Sequence, residues 1–443
     1  MPAETVAHRL IIRHPSAGSV LVVESAGVAT LPVLLLPDRH TADVDYLNAA
    51  VLARWGLRTF VLRSLLHFDS PAGTTRVHEL EAFGDAQPKG AGWRPALALG
   101  TLADPGDRTA LAAWRSAPDT APTAVDGRDW NRPGWYEEVR HWIGRALHYD
   151  AALGDLVETT QQRAWQSSCV IRVRATRGDC YFKAVSLCQR SEPAVTGFLA
   201  RRFSHLLPRV IAAEPERRWW LMAAVPGTPI DELDVPRIWA EAAAAYGGMQ
   251  AACVPLVEQL KAVGCPARPL EHLADAVGAL CAGPLDGLTP EEADRFRALA
   301  PSLEARCSEL ASHRVPLTLE HGDLWPGNIL ADGHACAILD WEDAGIAHPF
   351  LSLAPLHVGL AGCRSATPAA LAAVERAYLG AFSRFDAGDV QHAARLAKPL
   401  AFVDMAVRYR QQRASVTALH PWMKDLVPET LRLAMSCASE ALD

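Results

Sequence analysis

The sequence lacks several features that mark whole classes of protein. None of its ten cysteines precedes Cys169, and no two have the close C-x-x-C spacing of a zinc or redox site. We therefore expect reduced thiols, most of them buried. Basic residues are not in excess, because Lys and Arg number 43 and Asp and Glu number 50, and no long basic run occurs. This balance argues against nucleic acid as a main partner.

Long apolar runs are also missing. The most apolar stretches, residues 31–37 and 351–362, are shorter than the roughly 18 residues that a membrane span needs. Near the start, Glu4 and Pro15 fall where a signal peptide requires an unbroken apolar core. We expect an uncleaved, cytoplasmic protein without a membrane partner. The 443 residues, 50% hydrophobic and 21% charged, are typical of a folded chain with two or three domains.

Residues 1–117 alternate strand-like runs with turns and predict a separate α+β domain of unclear role. We expect strands that include residues 28–36 and 95–99, and a single helix at residues 44–55 with Asp43 as its N-cap. Residues 118–134 are rich in Pro, Ala, Asp and Gly and have no apolar period, which indicates a linker.

The remaining residues predict a β-rich part followed by a helical part. Residues 135–228 combine one helix at 135–147, strand patterns at 170–173 and 181–185, and a helix that begins at Glu192. From residue 229 to residue 443 helical patterns dominate, and a capping box at residues 289–292 begins one of these helices.

One polar segment interrupts the helical part. A strand at residues 317–320 leads into the loop HGDLWPGN, and a hairpin follows that ends in the acids of DWED, residues 340–343. The hairpin folds Asn328 back beside Asp340, so an amide and a carboxylate converge. Mg²⁺ prefers a few hard oxygen ligands together with phosphate oxygens and water. The segment therefore predicts a magnesium site that a nucleotide completes.

Three more residues complete this hypothesis. Asp323 lies five positions before Asn328 on the same loop, where it can face the metal-bound phosphate and accept a hydroxyl proton. Lys183, in a predicted strand, supplies the positive charge that holds nucleotide phosphates. Glu192 is the only acidic residue between Lys183 and Glu214, so it is the natural ion-pair partner of this lysine.

The polar segment resembles the aminoglycoside phosphotransferase and choline-kinase-like branch of the protein-kinase-like fold. The shared pattern, H-G-D-x-x-x-x-N followed by L-D-W-E, is present as His321, Gly322, Asp323, Asn328, Leu339, Asp340, Trp341 and Glu342. The resemblance extends from about residue 135 to the C-terminus. It implies a two-lobed kinase-like domain, with a β-rich N-lobe at residues 135–228 and a helical C-lobe at residues 229–443.

The resemblance also implies roles for individual residues. Asp323 would be the catalytic base, Asn328 and Asp340 would bind Mg²⁺, and Lys183 would bind the α and β phosphates. Backbone groups from Ala223 to Val225 would meet the nucleobase, and the sequence Gln166-Ser167-Ser168 would stand at the phosphate-covering hairpin. The implied activity is transfer of the γ-phosphoryl group of ATP or GTP to a hydroxyl of a small molecule. The sequence leaves open the acceptor, the choice of nucleotide and the oligomeric state.

Two departures from the family pattern suggest alternatives. The phosphate-covering hairpin is not glycine-rich, and Ser352 stands where relatives commonly carry an Asp before the Leu-Ala that follows the metal motif. Because Ser cannot supply a buried charge, a nucleotide-binding sensor or scaffold with little turnover is the alternative function. The N-terminal domain resembles a Nudix-like α+β fold but has no Arg-Glu-x-x-Glu-Glu-x-Gly signature, and a separate nucleotide hydrolase is a further alternative.

Several residues near the motif have ordinary explanations. We expect His321 to hold the loop rather than to carry a proton. Glu342 and Asp343 are candidates for support or substrate contact, but a solvated carboxylate pair explains them equally well. The arginines at 408, 410 and 413 are expected to form the polar face of a helix.

Overall fold

The computed structural model describes residues 5–14, 18–25, 27–70, 73–85, 87–102, 104–117, 127–414 and 423–440. These residues form two compact units, the first within Met1–Cys188 and the second within Gln189–Thr417 and Trp422–Asp443. No helix in these ranges is both long enough and apolar enough to cross a membrane.

The first unit begins with a seven-stranded mixed sheet. Its strands are β1 (Thr5–Arg13), β2 (Ser19–Ser25), β3 (Val28–Thr30), β4 (Val33–Pro37), β5 (Arg58–Ser70), β6 (Gly73–Phe83) and β7 (Gly92–Pro95). The order is β3-β2-β1-β6-β5, with β4 also paired to β1 and β7 to β2. β1 and β6 run parallel, and the other described pairs are antiparallel.

Two helices cover the opposite faces of this sheet. Leu10 and Ile12 of β1 pack against α1 (Asp45–Trp55) in one apolar core, whereas Ile11 packs against α2 (Pro105–Ser116) in another. Successive side chains of a strand point to opposite faces, so β1 serves both cores.

The structure corrects four predictions for this region. α2 was not expected, although Asp104 caps it by accepting from the N–H of Asp107. The N-cap of α1 is Val44 rather than Asp43. Residues 96–99, expected in a strand, belong to the 3-10 helix Ala96–Thr101, while 31–32 separate β3 from β4. Such short apolar runs do not by themselves distinguish strands from tight helical turns.

A second antiparallel sheet completes the first unit. It follows α3 (Trp135–His148) and contains β8 (Leu156–Ala164), β9 (Ser168–Ala175) and β10 (Asp179–Val185). Gln161 of β8 joins this sheet to β5, because its side chain accepts from Val61 N at 2.8 Å and donates to Val61 O at 2.9 Å. It also accepts from Asn48 of α1.

Of the linker predicted at residues 118–134, residues 118–126 lie outside the part of the chain that the structure describes. The proposed domain limits stay predictions.

The second unit is mainly helical, which confirms a sheet-rich N-terminal part followed by a helical C-terminal part. Its longer helices enclose one large apolar core. The helices are α4 (Glu192–Arg202), α5 (Ile230–Leu233), α6 (Pro236–Cys253), α7 (Val257–Ala262), α8 (Leu270–Ala282), α9 (Pro290–Ser312), α10 (Leu353–Ala361), α11 (Pro368–Leu379), α12 (Ala387–Ala414) and α13 (Met423–Glu440). The capping box predicted at Thr289 and Glu292 is confirmed at the start of α9.

The described residues of the second unit also form seven short strands, and some of them carry the polar segment. They are β11 (Val210–Glu214), β12 (Trp219–Ala223), β13 (Thr228–Pro229), β14 (Thr318–Glu320), β15 (Ile329–Ala331), β16 (Cys336–Ile338) and β17 (Gly345–Ala347). β14 pairs with β17, and β15 pairs with both β13 and β16. The HGD loop therefore follows β14, and the DWED turn lies between β16 and β17.

Candidate functional site

The hairpin β15–β16 places Asn328 beside the start of the acidic turn. Ile329 is opposite Ile338 in the register of the two strands. Just outside this pair, the N–H of Leu339 donates to the carbonyl of Asn328 at 2.9 Å. Because Asp340 follows Leu339, the amide residue and the carboxylate residue converge as the sequence predicted.

His321 links the loop to the same strand end. Its Nδ1 accepts from the N–H of Asp323 at 3.2 Å, and its Nε2 lies 2.9 Å from the carbonyl of Leu339. With Nδ1 as the acceptor, Nε2 carries the hydrogen and donates. Burial lowers the pKa of His321, which favours the neutral imidazole. The geometry is that of a residue holding the loop.

Asn328, a predicted metal ligand, is hydrogen-bonded to Asp323, the predicted base. Its side-chain NH₂ donates to the carbonyl of Asp323 at 2.8 Å and to a carboxylate oxygen of Asp323 at 3.2 Å. Since the NH₂ group is used in this way, the amide oxygen is the atom that would coordinate a cation.

The acidic turn gathers three carboxylates from two parts of the second unit. Ligand oxygens of Glu192, Asp340 and Glu342 all lie within 4.8 Å of one another. Glu192 is fully buried, and Asp340 has a left-handed backbone with φ 64°, which Asp tolerates better than most residues. Like charges at this spacing repel, and a hard dication such as Mg²⁺ would relieve the repulsion. The donor set of these carboxylates and the Asn328 amide therefore fits Mg²⁺.

Asp323 has the electrostatic surroundings of a base. Burial, followed by the nearby charges of Asp343 and Asp340, raises the pKa of Asp323 from 3.8 to about 8. The hydroxyl of Tyr409 lies 3.4 Å from one of its carboxylate oxygens. A raised pKa makes the ionised carboxylate of Asp323 a stronger base than that of an ordinary Asp, and a bound dication would favour this ionised form.

Gly322 allows the loop to cross the acidic turn closely. Its φ is +85°, and a Cβ placed on it would meet the carbonyl oxygen of Asp343 at 2.2 Å. Both the backbone angle and the close contact require glycine at this position.

The structure explains the departure at Ser352. The Ser352 hydroxyl donates to Glu320 at 2.6 Å and pairs with the hydroxyl of Tyr246 at 2.7 Å. Glu320 also accepts from Arg268 at 2.5 Å. Glu320 immediately precedes His321, whose N–H donates to Tyr246. A buried carboxylate therefore supports the loop from position 320, although position 352 carries none.

Arg408 of α12 is a site residue that the sequence analysis missed. Its guanidinium donates to the carbonyl of Gly322, lies 3.2 Å from Asp343 and donates to Asp404 at 3.0 Å. Asp404 in turn pairs with Arg268 at 3.2 Å. The prediction of a solvated polar face is wrong for Arg408, because this side chain is only 9% exposed. The available signal was the i,i+4 spacing of Asp404 and Arg408 within an apolar stretch of α12.

Part of the predicted nucleotide site lies in the first unit. Lys183 is buried on β10, opposite Val170 of β9. Ser167 lies in the turn before β9, and its carbonyl accepts from Ser186 N at 2.7 Å. Ser168 begins β9 and its carbonyl accepts from Trp165 N. The pairing of Lys183 with Glu192 joins different units and stays a prediction.

Two further predicted nucleotide contacts lie in the second unit. Ala223 is the last residue of β12, and its N–H donates to Arg209 O at 2.9 Å. Val225 follows in the loop before β13. Their contacts with a nucleobase stay predictions.

Comparisons with known proteins match part of this chain to one protein family. The family described as "Phosphotransferase enzyme family" matches residues 189–388. A choline/ethanolamine kinase family protein from Mesorhizobium loti is 18% identical over 67% of this chain and 94% of its own, with a TM-score of 0.49. Choline kinase from Cryptosporidium parvum Iowa II is 12% identical over 70% and 96%, with a TM-score of 0.48. An aminoglycoside-3'-phosphotransferase of type VIII is 22% identical over 60% and 98%, with a TM-score of 0.40. No curated protein matches the chain.

The family match confirms the predicted resemblance over residues 189–388, which include the HGD loop and the acidic turn. The match is to phosphotransferase enzymes. Because each TM-score is below 0.5, the structural likenesses add no argument. The match does not extend to residues 1–188, so the Nudix-like fold of the N-terminal part is not confirmed.

Proposed function

We propose that this chain, whose residues 189–388 match the phosphotransferase family, moves the γ-phosphoryl group of ATP or GTP to a hydroxyl of a small molecule. The observation that carries the proposal is the convergence of Asp323, Asn328 and Asp340. The hydrogen bonds of His321 and Asn328 to Leu339 hold this arrangement. Such positioning of charge is most of what a protein contributes to phosphoryl transfer.

Each residue has a defined task in this proposal. Asp323, with its raised pKa, orients the acceptor hydroxyl and takes its proton. Asn328 and Asp340 would hold Mg²⁺, with Glu192 and Glu342 close enough to contribute. When bound, Mg²⁺ neutralises charge on the terminal phosphates of the nucleotide. Lys183 is assigned to the phosphates from its predicted place in the N-lobe.

The alternative is a nucleotide-binding sensor or scaffold with little turnover. It was motivated by Ser352, but the carboxylate of Glu320 and the ion pairs of Arg268 support the loop in this chain. The contacts around Ser352 therefore favour an active enzyme. A sensor would be stabilised by nucleotide without forming any phosphorylated product.

Three variants separate these functions. Asp323→Asn keeps the shape of the side chain and removes the base, so we expect nucleotide-dependent stabilisation to persist and product formation to fall at least a hundredfold. Asp340→Asn should weaken both magnesium-dependent nucleotide binding and transfer. Asp275→Asn on α8, an exposed position, is the matched control and should behave as the wild type.

Full phosphoryl transfer by Asp340→Asn would overturn the assignment of the metal site. Nucleotide binding by the wild type with no product from any acceptor would favour the sensor. Nucleotide binding is read from the thermal unfolding midpoint with and without Mg²⁺, and transfer from the mass of the acceptor.

A further inference from the structure

A second cluster of metal-ligating side chains lies outside the HGD loop and the acidic turn. Glu309 stands in the last turn of α9, and His313 is the C-cap of the same helix. His392 reaches them from α12. The ligand atoms of the three side chains all lie within 4.8 Å of one another. No part of the proposed phosphoryl transfer uses these residues.

The spacing of the cluster suits a tetrahedral metal ion. Zn²⁺ binds His nitrogen and carboxylate oxygen at about 2.0–2.2 Å, which places neighbouring ligand atoms about 3.3–3.5 Å apart in a tetrahedron. His392 Nε2 and Glu309 Oε1 are 2.6 Å apart, so the observed spacings, from 2.6 Å to at most 4.8 Å, bracket this value. The rings of His313 and His392 have their centroids 5.3 Å apart.

Exposure of the cluster gives an ion access and room for water. The side chains of His392 and Glu309 are 44% and 52% exposed. Three protein ligands with a water molecule in the fourth position are a common arrangement around Zn²⁺.

The electrostatics of the helix end also favour a cation. The carbonyl groups at the C-terminus of a helix carry partial negative charge, and Glu309 and His313 lie at that end of α9. Glu309 supplies the carboxylate ligand of the cluster. His392 lies beyond the first turn of α12, where the positive end of that helix has little effect.

The ligand types discriminate between metals. Two imidazoles and one carboxylate suit Zn²⁺, Co²⁺ and Ni²⁺, whereas Mg²⁺ prefers oxygen ligands and retains its waters. We propose that Glu309, His313 and His392 bind one zinc-class dication that joins the C-terminal end of α9 to α12. This site is independent of the proposed phosphotransferase function.

The test measures metal binding by the full-length protein with excess Mg²⁺ present. Zinc chloride is titrated by equilibrium dialysis into the wild type and the variants His392→Ala and His313→Ala. We expect both variants to bind one Zn²⁺ fewer than the wild type. His272→Ala, which removes an exposed histidine of α8, is the matched control and should retain the wild-type stoichiometry.

Two further readouts distinguish a metal site from an ordinary ion pair. Cobalt chloride should give the visible absorption of a tetrahedral Co²⁺ site in the wild type and the control but not in His392→Ala. Zinc chloride should raise the thermal unfolding midpoint of the wild type and not that of His392→Ala.

Equal zinc stoichiometry in the wild type and both variants would overturn the proposal. The proposal would also be overturned if His392→Ala lowered the unfolding midpoint in metal-free buffer while zinc left the midpoint of the wild type unchanged. His392 and Glu309 would then form only an ion pair. Failure of phosphoryl transfer would leave these measurements unaffected.

Discussion

Replacing Arg408 by Lys tests how the second unit positions its HGD loop. Arg408 is buried and reaches three groups at once, namely the carbonyl of Gly322 and the carboxylates of Asp343 and Asp404. Lys keeps the charge but cannot reproduce the planar fork of the guanidinium, so it reaches fewer of these acceptors. The Gly322 carbonyl, which belongs to the peptide that joins Gly322 to Asp323, then loses its anchor.

The expected magnitudes follow from these contacts. Loss of one or two charge-assisted hydrogen bonds should lower the free energy of unfolding by about 1–3 kcal/mol. If about 1.4 kcal/mol of that loss appears in the transition state, kcat falls roughly tenfold. KM for the nucleotide should change little, because Arg408 contacts Gly322, Asp343 and Asp404, none of which is a predicted ligand of Mg²⁺ or of the nucleotide.

The assay combines urea unfolding with steady-state phosphoryl transfer to the acceptor. Arg413→Lys, on the same helix but outside this network, is the control and should match the wild type in both measurements. Folded Arg408→Lys protein with wild-type kcat would refute the reasoning. A rise in KM alone, at unchanged kcat, would also refute it, since it would show loss of binding rather than of loop position.

Three other substitutions have expected outcomes. Native Asp323 retains its proton up to about pH 8, so the wild type loses stability as the pH rises from 5 to 9. Asp323→Asn should therefore be more stabilising at pH 9 than at pH 5 in metal-free buffer, by at least about 1 kcal/mol in the free energy of unfolding by urea. An equal effect of the substitution at both pH values would contradict this. Gly322→Ala should lower both the unfolding midpoint and kcat, because a Cβ there meets Asp343 O at 2.2 Å, and a wild-type kcat would show that the loop yields without consequence. Gln161→Ala should lower the free energy of unfolding by about 1–3 kcal/mol, because it leaves the N–H and carbonyl of Val61 without their partner, whereas Gln162→Ala is the control; equal stability of the two variants would disprove the bridging role.

The parts of the site that the sequence predicted correctly depend on local signals. The β15–β16 hairpin was foreseeable because Asp332 and Gly333 form a turn between two short apolar runs, and the flanking residues Asn328 and Asp340 must then converge. The capping box that begins α9 is another such signal, since its two partners are three residues apart.

The parts that were missed depend on contacts between distant residues. Arg408 pairs with the carbonyl of Gly322, which lies 86 positions earlier in the chain. The sequence near Arg408 does not show that pairing. The support of the loop by Glu320 likewise required Arg268 and Ser352 to meet it in space. The assignment of Lys183 and Glu192 as an ion pair stays a prediction.

The most direct test of the proposed function is mass spectrometry of a mixture of hydroxylated metabolites and aminoglycosides incubated with the protein, Mg²⁺ and either ATP or GTP. We predict that one compound gains a single phosphoryl group with the wild type and not with Asp323→Asn. That compound would identify the acceptor class. A folded, nucleotide-binding protein that phosphorylates nothing in this mixture or in a cell extract would contradict the proposal that it is a small-molecule kinase.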